Sequence, residues 1–465
     1  QSAFALTNFG VVRPRADRAA DRICISATPA TNCVIGGNET GFFAAAFPER
    51  EFSLPFTQNE FSVRGDWNVT NKDNLSFRYL WQDSVTVNSL GGSNGFTGDV
   101  PARSTNFSGF YTRQISSSIV NNFQGTFQRL SVKFGGGCGD DPLTGCIPDT
   151  ARIADSYTNI AFGGVGSLGG VAMQGIGGAT NLPQGRIVDV YQFSDKIAWI
   201  TGNHSLNFGV DFRYLKNSVP FLPNINGVVR YNSLAALATN IPTNVTLADG
   251  QADLAYKQYD QFYFIQDDWR IRQNFTLNMG IRYEYSGQPI NRINEVTAAR
   301  EGDASTALYR QSLPLEARTF PKLPADSNNI APRIGFAWSP NFGESSFAKF
   351  LFGGKDATVV RGGYSIAYEA VFYNIMLNIS TSAPTVILDT FATTIGMPNN
   401  PTGVAVRNAY AANLRRNTFD PRLLARTDVS TNFHSPYSVQ YSIGIQRQIN
   451  DSNVFEIRYV GNQGK

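Results

Sequence analysis

Charge is scarce in this sequence. Asp, Glu, Lys and Arg make up 16% of its 465 residues, against about a quarter in ordinary soluble domains. Base exceeds acid only by 39 to 36, a formal charge of +3, too weak a field to argue for nucleic acid. No apolar run reaches the roughly 18 residues of a membrane-crossing helix. That excludes a helical span, but a membrane strand carries no such signal. The amino terminus, QSAFALTNFG, lacks a basic segment followed by an apolar one, so no signal peptide is visible. Histidine occurs only at His204 and His434, each read as structural, and no Ser/His/Asp set stands out. No catalytic residue, cofactor site or metal site is assigned, and the chain is expected not to be an enzyme.

Cysteine is nearly as rare. The four fall into two close pairs, Cys24/Cys33 and Cys138/Cys146, each among loop-forming residues. Metal ligation favours tighter spacing and histidine partners. Local disulfides in an oxidising compartment are the expectation. Four cysteines allow three connectivities, and proximity favours the two short loops.

Aromatics and glycine are plentiful: Phe, Tyr and Trp reach 12%, and there are 43 glycines. Such sequence suits strands joined by irregular loops. Strict alternation confirms the period of two. In FTLNMGIRYEY (275–285), Phe275, Leu277, Met279, Ile281, Tyr283 and Tyr285 alternate with Thr276, Asn278, Gly280, Arg282 and Glu284. Runs at 61–70 and 74–83 flank a three-residue turn, Asn71-Lys72-Asp73, as a hairpin would. Similar runs occur at 105–114, 119–131, 191–200, 204–215, 258–271, 329–338, 357–368, 436–447 and 453–460, giving about twelve strands.

Turns on one side of these hairpins are short, except near 339–356. On the other side lie long segments near 84–104, 132–186, 216–255, 286–328 and 369–435. A soluble sandwich or propeller would have short loops on both sides and a more charged exterior. Short turns on one side and long loops on the other describe an outer-membrane barrel. Lipid cannot satisfy backbone N–H and C=O groups, so such strands pair around a closed wall. The expected fold is therefore all-β, an antiparallel up-and-down transmembrane β-barrel. Residues 1–60 read as a surface segment and 61–465 as the barrel.

Alternation also sorts side chains. Arg64, Arg78, Arg213, Arg282, Arg333 and Arg361 fall on polar faces and are expected to line the lumen. Trp81, Trp199, Trp269 and Trp338 lie towards strand ends, as interfacial aromatics do. Gly164-Val165-Gly166-Ser167-Leu168-Gly169 matches a dinucleotide fingerprint, but no helical pattern follows, so it reads as a loop. Asp140-Asp141 lacks an EF-hand ligand ladder. The basic stretch from Arg415-Arg416 to Arg426 reads as solvated loop, with lipopolysaccharide or another anion as the alternative.

Several segments together resemble the barrel of TonB-dependent receptors, specifically the Oar-like group. They are LPQGRIVDVYQFSDKIAW (182–199), GNHSLNFGVDFRYL (202–215), QFYFIQDDWRIRQNFTLNMGIRYEY (261–285), NNIAPRIGFAWSP (328–340), ATVVRGGYSIAYE (357–369) and SPYSVQYSIGIQRQINDSNVFEIRYVGNQG (435–464). The resemblance implies a 22-stranded barrel with a globular plug, energised by the TonB complex. It implies ligand import across the outer membrane of a Gram-negative bacterium, with outer-membrane lipid and lipopolysaccharide as neighbours. A non-energised porin or a surface adhesin is the rival. No TonB box or plug precedes residue 61, and the end VGNQGK lacks a terminal aromatic strand; the expectation is a fragment of about half a barrel. Ligand contact is expected in the segments 132–186 and 369–435.

Overall fold

A computed structural model of the chain describes residues 22–24, 42–44, 55–88, 98–134, 158–162, 179–233, 239–250, 253–340, 357–370, 373–399 and 401–465, with a few isolated positions between them. In chain order, β1 (Arg22–Cys24) and β2 (Phe42–Ala44) pair with each other. Then come β3 (Phe56–Asn68), β4 (Asp73–Asn88), β5 (Gly98–Gln114) and β6 (Ile119–Phe134). Next are β7 (Asn159–Phe162), β8 (Ser167–Leu168), β9 (Val171–Ala172), β10 (Gln184–Thr201) and β11 (His204–Pro220). They are followed by β12 (Val228–Tyr231), β13 (Asn244–Gly250), β14 (Asp253–Arg272) and β15 (Phe275–Ser286). The last are β16 (Asn329–Trp338), β17 (Thr358–Tyr368), β18 (Val386–Phe391), β19 (Tyr437–Asn450) and β20 (Asn453–Gly464).

Twelve of these strands form one sheet in the order β3-β4-β5-β6-β10-β11-β14-β15-β16-β17-β19-β20. Every neighbouring pair is antiparallel, so the wall runs up and down as the alternation predicts. As described, the wall is an open sheet that ends at β3 and β20. Register fixes its two faces. One carries exposed apolar side chains, including Phe61, Phe107, Phe193, Phe212, Ile265, Ile281, Ile334, Ile443 and Tyr459. Water would penalise such a surface at this extent. The other is polar: Arg64, Arg78, Ser108, Thr126, Gln192, Arg213, Asp260 and Ser286 form one cross-strand row, each in register with the next.

Several glycines sit directly opposite an aromatic residue. Gly209 faces Phe264, whose ring would lie 2.2 Å from an added Cβ; Gly65 faces Phe77 in the same way, at 2.6 Å. The ring covers the backbone that glycine leaves bare, and only glycine admits it.

Two expectations need correction. The strands are longer than the alternating runs. The run 105–114 lies in a strand that starts at Gly98, 191–200 in one from Gln184, and 258–271 in one from Asp253. The added residues lie on the long-connection side. There the strands leave strict apolar alternation because they support further structure.

The long connections, read as structureless polar loops, are folded where described. β18, β13, β12 and β7 form a second sheet, built from three different connections. Helices lie at Asn291–Gly302, Tyr373–Ser380 and Gly403–Tyr410. Together they make a cap on one end of the wall. One cap core joins the wall strands' ends, through Leu215, Leu254 and Tyr256, to Ile290, Ile293, Phe320, Met376 and Ile379. A second surrounds the cap sheet with Val229, Tyr231, Val245, Leu247, Val406 and Tyr410. At about 25 cal/mol per Å² of buried apolar area, such clusters repay the ordering of long connections.

Candidate functional site

The cap stands over the polar face, and its charged groups are spent internally. Arg415 forks onto Asp389 of β18, and Arg416 onto Asp249 of β13, with Nη2–Oδ1 at 2.8 Å for the second pair. Both carboxylates are buried while both guanidinium groups stay half exposed. Two consecutive arginines thus pin their own connection to two strands of the cap sheet, β18 and β13. Arg407, on the helix Gly403–Tyr410, donates from Nη1 to Ala248 O at 2.9 Å. Burial lowers its pKa from the ordinary arginine value. Neither Arg415 nor Arg416 is a solvated loop charge awaiting an anion: each already has its carboxylate.

A fully buried Glu301 ties three segments together. It accepts from Arg300 at 2.9 Å, Arg318 at 3.2 Å, Leu308 N at 3.1 Å and Tyr309 N at 3.4 Å. Arg300 also donates to Pro384 O at 2.6 Å and to Thr385 O at 2.5 Å, linking the 287–328 connection to the 369–436 connection. Burial pushes the phenols of Tyr231 and Tyr410, in the cap-sheet core, up to about 12. Such groups are framework.

Below the cap, the polar face carries a cluster of opposite charges on β11, β14 and β15. Arg282 pairs with Glu284 at 2.7 Å. The guanidinium groups of Arg282 and Arg213 lie 4.8 and 5.8 Å from the Phe262 ring centroid. Gln192 donates to Asp211 at 2.7 Å, and Gln258 to Asp260 at 2.8 Å. Further along, a trench of about 540 Å³ is lined by Gln266, Asn278, Arg333, Ser365, Gln440 and Asn462. All six arginines named from the sequence share this face by register: Arg64 opposes Arg78, Arg213 opposes Asp260, Arg282 opposes Ala331, Arg333 opposes Gly280, and Arg361 opposes Ala337. They are spread over six strands and do not meet in one pocket.

The four tryptophans lie on the apolar face. Trp199, Trp269 and Trp338 sit at the short-turn ends of β10, β14 and β16, whereas Trp81 lies towards the cap. His204 stacks on Trp269 at 5.2 Å and bonds Asp267 at 2.7 Å, a structural role. Of the cysteines, Cys33, Cys138 and Cys146 lie outside the described residues, as do Asp140 and Asp141; Cys24 is described only as the last residue of β1. In the glycine-rich segment, Ser167 and Leu168 form β8, and the other members lie outside the described residues.

A feature that sequence reading misses is a continuous aromatic row on the apolar face. Tyr79, Phe107, Phe127, Tyr191, Tyr214 and Tyr259 are cross-strand partners on six adjacent strands. Ring centroids are 5.0 Å apart for Phe127–Tyr191, 6.0 Å for Tyr191–Tyr214 and 4.6 Å for Tyr214–Tyr259. The signal is invisible without register, because each strand contributes one ring.

Among the described residues no cluster of three or more His, Cys, Asp or Glu is arranged to hold a metal. An apolar belt edged by aromatics and backed by a polar face is the construction of an outer-membrane β-barrel. The chain belongs to the family described as outer membrane β-barrel domain, which matches residues 6–465. Its place is the outer membrane of a Gram-negative bacterium. No curated protein matches the chain. Solved structures similar to it include the siderophore receptor PirA of Pseudomonas aeruginosa, at 10% identity, TM-score 0.42, covering 88% of this chain and 46% of that one. The ferric-catecholate import receptor Fiu of E. coli K12, closed form, gives 9%, 0.40, 88% and 51%. FpvA of P. aeruginosa, bound to a heterologous pyoverdine with iron, gives 9%, 0.45, 88% and 42%. The chain spans about half the length of these structures.

Proposed function

We propose that this chain is the wall and cap of a TonB-dependent receptor, which captures a ligand at the cell surface and imports it across the outer membrane without catalysis. The observation that carries the reading is the folded cap. Three connections contribute strands to one sheet over the polar face, and the Arg416–Asp249 ion pair, with its carboxylate buried, joins two of them. A diffusion pore needs an open mouth, whereas a receptor needs an ordered surface that meets its ligand before admission. The sequence resemblance to Oar-like TonB-dependent receptors supports the same conclusion.

In this reading Arg64, Arg78, Arg213, Arg282, Arg333 and Arg361 face the lumen and the plug of the whole protein, which the TonB complex engages. Trp81, Trp199, Trp269 and Trp338 lie at the membrane interfaces, and lipid covers the apolar face. Ligand contact falls on the cap, in the segments 132–186 and 369–435, of which the first lies largely outside the described residues. The siderophore and metal receptors among the similar folds make a chelated metal the first ligand class to test.

The full-length protein in a planar bilayer tests the reading. A plugged, capped receptor stays nearly closed to ions. Steady conductance on the scale of an open pore would replace it with a porin, and a closed protein that takes up nothing without or with TonB would replace it with an adhesin.

A further inference from the structure

On its apolar face, strand β10 runs from Tyr191 in the aromatic row to Trp199 at the short-turn end. Asp195 lies midway between them on that same face, opposite Phe123 of β6 and Val210 of β11. Four residues of strand span about 13 Å, so Asp195 stands near the middle of an apolar band about 25 Å tall. An ionisable group at such depth is costly without a partner, and it marks a functional surface. Asp267, also on this face, lies at the band's edge beside Trp269 and is already bonded by His204 at 2.7 Å.

The partner that Asp195 has within the wall is incomplete. Asn121 of the adjacent β6 donates from Nδ2 to Asp195 Oδ1 at 2.5 Å. The same nitrogen otherwise reaches only Lys196 O, at a long 3.4 Å. Asp195 Oδ2 accepts no hydrogen bond among the described residues. Both side chains are half-buried and open to the outside of the wall, where lipid tails supply no donor. Beside them the face is hollowed: Gly109 and Gly125 are cross-strand partners between Phe77 and Phe193. A Cβ at Gly109 would meet nothing within 4 Å, and one at Gly125 only the Phe193 ring, at 3.6 Å. Small residues on a membrane face let a second backbone approach closely.

We propose that this part of the apolar face is where two copies of the protein meet, across a two-fold axis along the membrane normal. Such an axis sets a surface against itself, keeping depth and exchanging left for right. With the axis between β6 and β10, Asn121 faces the partner's Asp195, and Asp195 faces the partner's Asn121. Each amide then gives one N–H to each carboxylate, and each carboxylate uses both oxygens. Donor and acceptor lie side by side, so the surface is its own complement, and the occupant is a second copy. This rests on the apolar face being the membrane face and is independent of what the protein imports.

The test measures energy transfer between donor- and acceptor-labelled copies of the full-length protein in bilayers, as lipid is added to dilute them. Labels sit at Lys72→Cys in a short turn, with the native cysteines replaced by serine. The proposal expects a saturable dimer that dissociates on dilution. Asp195→Leu and Asn121→Leu should each weaken it at least tenfold. Asp195→Asn, which keeps an acceptor for Asn121, should weaken it less than Asp195→Leu, and Tyr441→Leu on the distant β19 should leave it unchanged. Protease protection of the wall in the same vesicles shows that each variant has inserted. Inserted Asp195→Leu and Asn121→Leu proteins that associate as tightly as the wild type would overturn the proposal. A wild type that inserts and stays monomeric sinks the interface but leaves the membrane face intact; failure of the wild type itself to insert sinks both.

Discussion

At the scale of single residues, the cap depends on a few buried polar groups with complete partners. Glu301 has no exposed side-chain surface and accepts from two arginines and two backbone amides. Arg318, itself buried, would be left with an unpaired charge if the carboxylate were removed. Breaking a buried pair costs about 3–5 kcal/mol, so Glu301→Ala should destabilise the cap by about that much and expose its connections to protease while the wall stays protected. Unchanged protection would contradict the role. Tyr231 and Tyr410 make the cap sensitive to alkali. Their folded pKa values of about 12 stand above the roughly 10 of an unfolded tyrosine. The fold favours the neutral phenol, so this contribution is complete below about pH 10 and is lost as pH rises through about 12. Tyrosinate absorbance and proteolysis of the cap should therefore rise together in that window, and a cap still resistant beyond it would refute the assignment.

At the scale of elements, the wall was legible in the sequence and the cap was not, for physical reasons. A wall strand such as Phe275–Ser286 alternates strictly because its two faces meet different surroundings. The helix Asn291–Gly302 gives no comparable signal. It buries Ile293, Val296, Thr297 and Glu301, so half of its buried face is polar and satisfied by tertiary partners. Thr297 both donates to Ile293 O at 2.8 Å and accepts from Phe320 N at 3.0 Å, contacts that no local pattern announces. The cap sheet pairs β7 in parallel with β12, some seventy positions apart by register from Asn159 to Val228. The aromatic row was hidden for the same reason, since register creates it. The faces themselves make a sharp prediction on β19. Ile443 is on the apolar face and Ser442 beside it on the polar one. Arginine on a lipid face costs about 2–4 kcal/mol near mid-bilayer. Ile443→Arg should lower folding stability in lipid by about that amount, and Ser442→Arg by less than about 1 kcal/mol. Equal effects in urea titrations of the reconstituted protein would contradict the face assignment.

At the scale of the whole molecule, one design recurs along the chain: hairpins with short turns at one end and connections that fold together at the other. The wall supplies rigid supports, since the ends of β11 and β14 enter the cap core through Leu215, Leu254 and Tyr256. Lipid meets the apolar face of that wall and the polar face is turned away from it. The most direct measurement places spin labels one at a time from Leu277 to Glu284 in the full-length protein in bilayers, with the native cysteines replaced by serine. Accessibility to dissolved oxygen should peak at Leu277, Met279, Ile281 and Tyr283, and accessibility to a water-soluble nickel complex should be highest at the positions between. A profile without a period of two, or one with the phases exchanged, would contradict the outer-membrane wall described above.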